Sequence, residues 1–191
     1  MKNSKKREKI IWILIVVIII AILITLCLLF YPKNNLTNNP KDTDIKNVLK
    51  KLDGAYSFCM ATEDNDPNGN LNKQGGYTGA VYFRLKHVDD KIKKDDIKDY
   101  GEEFVNSDDW SNQYDEYDNS CEAGTSSGGQ IEIYPNESDA KKRDKYLSGL
   151  DGFLSGGYHT VEGTLVIRVS DELTSSQQKK IANEIIELLN K

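Results

Sequence analysis

The chain has 191 residues, with 25 Lys and Arg against 30 Asp and Glu, for a formal net charge of −5. The imbalance lies in the body: from Asn34 onward 19 Lys and Arg face 29 Asp and Glu, a net −10. So acidic a body argues against nucleic acid and against flat docking on anionic lipid, and about 150 residues after the first segment make one ordinary domain.

Lys2, Lys5, Lys6, Arg7 and Lys9 precede an uncharged run, residues 10–31, built mostly of Ile, Leu and Val. A bilayer's hydrocarbon core takes about 20 apolar residues at helical rise, so this run predicts a membrane-spanning helix. Trp12 and Tyr31 fall where amphipathic rings settle at the two interfaces, and the basic cluster predicts a cytoplasmic N-terminus. A cleaved signal peptide has a shorter apolar stretch and a small-residue cleavage site, which Cys27-Leu28-Leu29-Phe30-Tyr31 does not offer. A lipoprotein signal places a small residue before its cysteine, whereas Leu26 precedes Cys27. The reading is therefore a cytoplasmic tail at 1–9, a span at 10–31, a Pro- and Asn-bearing tether at 32–44 and one extracytoplasmic domain at 45–191.

Ile45, Val48, Leu49 and Leu52 lie on one face of a short helix that Thr43 or Asp42 could cap and Gly54 could end. Residues 55–62 predict a strand with Tyr56, Phe58 and Met60 on one face. A polar loop at 63–76 leads to a second strand, 77–86, where Tyr77, Val81, Phe83 and Leu85 share a face. A weaker helix over 89–105 runs through Ile92, Ile97, Tyr100 and Phe104, and 106–127 reads as a long acidic loop. A short strand at 130–134 is stopped by Pro135. Asn136 then caps a helix through Ala140, Leu147 and Leu150. Residues 159–170 predict one more strand, with Leu165, Ile167 and Val169 alternating. Thr174 and Gln177 form a capping box for a last helix that buries Ile181, Ile185, Leu188 and Leu189. The order predicts an α+β fold: a mixed or antiparallel sheet of about four strands with helices on one face.

Two cysteines of the domain, Cys59 and Cys121, predict a disulfide outside the reducing cytoplasm, with two buried thiols as the alternative. Asp64, Asp66, Asn68 and Asn70 alternate along a turn with Gly69 in sixth place, as in the first half of an EF-hand loop. Calcium is thus the one cofactor the sequence offers. Gly75 stands where the bidentate acid belongs, so binding would be weak, about 10⁻⁴–10⁻³ M. The competing reading is an Asp/Asn/Pro/Gly turn bonded to its own backbone. Trp110, Tyr114 and Tyr117 stand among acids in a loop that reads as a recognition surface or as aromatics packed back on the sheet.

No catalytic residue is expected. Gly124-Thr125-Ser126-Ser127-Gly128 matches G-x-S-x-G, but it precedes a strand instead of following one, as a flexible turn would. His87 and His159, the two histidines, lie on separate segments without zinc-site spacing.

Several segments carry a family likeness: Glu63-Asp64-Asn65-Asp66-Pro67-Asn68-Gly69, Lys73-Gln74-Gly75-Gly76-Tyr77-Thr78, Gly128-Gly129-Gln130-Ile131-Glu132-Ile133-Tyr134 and Leu173-Thr174-Ser175-Ser176-Gln177-Gln178. Together they resemble small membrane-anchored or lipoprotein ectodomains of Gram-positive bacteria, over most of residues 53–191. The resemblance implies location and a shared fold, and no mechanism. The expected function is an interaction or accessory module of the cell envelope, with a protein or cell-wall partner. An accessory subunit that uses its membrane helix as the contact comes second, and a cell-surface enzyme third.

Overall fold

Val81, Phe83 and Leu85 alternate with Ala80, Tyr82 and Arg84 along a strand whose every residue is buried. A half-solvated strand would expose one of these sets, so both faces of the sheet are covered. The structure, a computed structural model, describes residues 40–107, 121–150 and 157–191. The span expected at 10–31 and the loop bearing Trp110, Tyr114 and Tyr117 lie outside the described residues.

The described chain runs α1 (Asp42–Leu49), β1 (Ala55–Met60), β2 (Gly79–Leu85), α2 (Lys86–Tyr100), α3 (Glu102–Val105), α4 (Cys121–Ser127), β3 (Gly128–Ile133), α5 (Glu137–Ser148), β4 (Tyr158–Glu162), β5 (Leu165–Val169) and α6 (Ser175–Leu189). The fold is α+β. Its sheet has five strands in the order β1-β2-β3-β5-β4, and every pairing is antiparallel. Among the described residues no helix is long and apolar enough to cross a membrane.

The extra strand comes from the segment 159–170, which folds as a hairpin instead of one strand. Glu162 pairs with Leu165, leaving Gly163 and Thr164 as a two-residue loop. Gly163 takes φ 58°, the positive value that a glycine-first hairpin turn requires.

Helices cover both faces, not one. On one side Ile45 and Leu49 of α1 and Ile181 and Ile185 of α6 pack on the aliphatic residues of β2, β3 and β5. On the other, Ala140 and Leu147 of α5 and Cys121 of α4 pack with Tyr77, Tyr82 and Tyr134. Local signals set the ends of two helices. Thr174 and Gln177 bond reciprocally at the start of α6, and the Asn136 side chain accepts the Asp139 N–H at the start of α5; such caps contribute about 1 kcal/mol each. The cap of α1 is Lys41, not Thr43 or Asp42: the Asp44 carboxylate accepts the Lys41 N–H at 3.2 Å.

Three further departures have local causes. Gly101, at φ 89°, breaks the helix expected over 89–105 into α2 and α3. Ser57, at φ 49°, makes a bulge in β1, so Tyr56 leaves the face of Phe58 and Met60. The Tyr56 hydroxyl instead bonds the Asp89 carboxylate, and the Arg84 guanidinium lies over its ring, 5.4 Å from the centroid. Finally, α4 stands where the acidic loop was expected to continue. A Cβ on Gly124 would lie 2.6 Å from the Tyr82 Cβ, so glycine is what lets this short helix press on β2.

Candidate functional site

The antiparallel registers place Cys59, Tyr82, Gln130, Arg168 and His159 in one row, one residue per strand across the whole sheet. The row lies on the face covered by α4, α5 and the 61–77 loop. Its polar side chains bond to one another through that cover. Asn68 donates to the Tyr82 hydroxyl at 2.8 Å and to Gln130 Oε1 at 3.1 Å, and its Oδ1 accepts from Arg168 Nη1 at 3.3 Å.

Glu132, two residues along β3, is completely buried and anchors the network. It accepts from Gln130 Nε2 at 2.7 Å, from the Tyr134 hydroxyl at 2.9 Å and from Arg143 Nε and Nη2 at 3.1 and 3.0 Å. Arg168 Nη1 reaches it at 3.5 Å. A buried carboxylate is tolerated only with such charged and hydrogen-bonded partners. At the end of the row His159 Nδ1 lies 2.8 Å from Asp144 Oδ1 of α5.

The environment shifts several ionisations. Burial, above all, pushes the Tyr82 phenol up to about 12. Burial and the hydrogen bond to Asp66 raise Tyr77, and burial with the Glu132 charge raises Tyr134. Burial alone would lower Arg143, but the Glu132 charge and hydrogen bond outweigh it and raise it.

The residues singled out by spacing at 64–70 do different things. Burial works against the charged form of Asp66, yet the Tyr77 hydroxyl and the backbone N–H groups of Leu71, Asn70 and Asn68 hold its carboxyl below its ordinary value. One Asp66 oxygen accepts the Leu71 N–H at 2.8 Å and the other accepts from Tyr77. Asn68 points into the polar row, Asp64 is exposed, and the Asn70 carbonyl accepts the Lys73 N–H. Among the described residues no group of three or more His, Cys, Asp and Glu side chains is gathered around a common centre.

Cys59 and Cys121 are joined by a disulfide with their Cα atoms 5.1 Å apart. Asn65 brackets it, its amide donating to Cys59 Sγ at 3.6 Å and its carbonyl oxygen accepting the Cys121 N–H at 3.2 Å. Ser126 and Ser127 end α4 and lead into β3, the reverse of a strand-to-helix nucleophile turn. His87 lies at the start of α2 and His159 on β4.

Sequence reasoning did not find Tyr82, Gln130, Glu132, Arg143 and Arg168. The one signal for Gln130, Glu132 and Arg168 is their alternation with Ile131, Ile133, Ile167 and Val169, which a period of two ordinarily assigns to solvent; Arg143, on a helix among charged neighbours, carries no such signal. Comparison of the chain with known protein families, with curated proteins and with solved structures finds no match.

Proposed function

We propose that this chain is a single-pass, membrane-anchored interaction module of the Gram-positive cell envelope, with its domain outside the cell and a protein or cell-wall partner. The observation that carries the reading is the Cys59–Cys121 disulfide. A cross-link of this kind suits a non-reducing compartment, and the five basic residues followed by the apolar run at 10–31 would deliver the domain there. Binding is favoured over chemistry because the network around Glu132 joins its side chains to one another, with no nucleophile bonded to a base among them.

Topology tests the reading. A cysteine introduced at Asn38 is expected to react with a membrane-impermeant maleimide on intact cells, and one at Ser4 only after lysis. Labelling of the Ser4 position alone on intact cells would overturn the location and the function with it.

A further inference from the structure

We propose that Arg168, with Arg143 beside it, holds a carboxylate-bearing ligand at the partly exposed edge of the polar row. The inference deepens the interaction-module reading by naming the chemistry of the partner. Arg168 carries its charge on β5 with its side chain 20 % exposed, so part of the guanidinium reaches solvent. Its hydrogen bonds are both made by Nη1, at 3.3 Å to Asn68 and 3.5 Å to Glu132. Charge-assisted N–H to carboxylate bonds normally measure about 2.7–2.9 Å, so both contacts are loose. Nε and Nη2 make no hydrogen bond among the described residues.

The loose geometry of Arg168 follows from sharing its acceptor. Glu132 is the carboxylate nearest both guanidinium groups, and Arg143 already takes it with two nitrogens. One carboxylate therefore serves two cations. The other acids facing the row are engaged elsewhere: Asp144 with His159 at 2.8 Å, and Asp66 with Tyr77 and the Leu71 N–H. Glu132 and Asp144 close by would repel a dianion such as phosphate more strongly than a carboxylate. The Nε–Nη2 edge of a guanidinium is a planar fork that fits the two oxygens of a carboxylate side by side. At 20 % side-chain exposure Arg168 leaves that fork sheltered enough for the pairing to count, yet reachable.

Acetate is the probe, and the arginine Nε–H resonances of the full chain in detergent micelles are the readout. Acetate is expected to shift the Arg168 Nε–H saturably, while chloride and phosphate at the same ionic strength leave it in place. Arg168→Lys keeps the charge and loses the fork, and is expected to weaken acetate binding about tenfold or more. The absence of a saturable shift with acetate overturns the site, as does an equal response to chloride or phosphate, or undiminished acetate binding in the lysine variant. The wild-type titration decides even if that variant does not fold. A chain that labels outside the cell but does not respond to acetate loses this site and keeps the proposed location.

Discussion

Glu132, without solvent exposure, accepts two nitrogens of Arg143, Nε at 3.1 Å and Nη2 at 3.0 Å. The pair ties α5 to the centre of the sheet, alongside the apolar contacts of Ala140 and Leu147. Arg143→Met would leave the buried carboxylate with neutral donors and the long Arg168 contact. The expected loss is about 3–5 kcal/mol of unfolding free energy, the usual cost of stranding one member of a buried pair. Glu132→Leu combined with Arg143→Met is expected to cost less than the sum of the two single changes. Urea unfolding of the four chains measures the cycle, and additive losses would show that the two residues are not coupled.

The disulfide makes a second prediction. Cys59 and Cys121 are separated by 62 positions, and closing so long a loop restricts the unfolded chain. Changing both to serine is expected to cost about 4 kcal/mol in the chain-entropy account. Reductant should then lower the unfolding midpoint of the wild type and leave that of the double variant unchanged. A wild type indifferent to complete reduction would remove the disulfide from the account of stability.

Elements specified by neighbours in sequence were legible, and contacts made across the fold were not. Thr174 with Gln177 and Asn136 with Asp139 act within one helical turn, so their chemistry is written in adjacent residues. The apolar spacing of Ile181 and Ile185 likewise needs only one helix. By contrast, Asn68 meets Gln130 across 62 positions and Arg168 across 100. Until α5 and the 61–77 loop cover them, Gln130, Glu132 and Arg168 look like the solvent side of ordinary strands. The spacing of Asp64, Asp66 and Asn68 pointed to a shared centre, but Asp66 binds backbone N–H groups of its own loop while Asn68 turns to the sheet. The hairpin at Gly163 and the bulge at Ser57 each change the strand pattern through one residue at positive φ. The sequence did contain the glycine signal for the first and none for the second.

Gly124 gives a third prediction. An alanine Cβ there would stand 2.6 Å from the Tyr82 Cβ and 3.0 Å from the Phe83 nitrogen. Neither atom lies at the end of a flexible side chain, so α4 itself must lift from β2. Gly124→Ala is expected to destabilise by about 1–3 kcal/mol through overpacking, read as a lower thermal midpoint. An unchanged midpoint would mean that α4 is not pressed on the sheet as tightly as these distances require.

Asp66 makes stability depend on acid, and the sign follows from its surroundings. The Tyr77 hydroxyl and the N–H groups of Leu71, Asn70 and Asn68 favour the carboxylate over burial and hold the group below its ordinary value of 3.8. A folded-state value below the unfolded one means that the folded chain binds the proton less readily. The contribution is therefore fully present above 3.8 and is lost as pH falls from there through the lower folded value. Asp66→Asn keeps the shape and removes the charge, so the variant should be less stable than the wild type at neutral pH. The gap should close on acidification below 3.8, because protonation then removes the same charge from the wild type. Hydrogen exchange at the Leu71 N–H, which donates to Asp66 at 2.8 Å, gives a local readout: its protection should be lower in the variant than in the wild type at neutral pH, and in acid the wild type should fall towards the variant's level. A stability gap between the two chains that stays constant through the acid range would show that Asp66 does not carry this dependence.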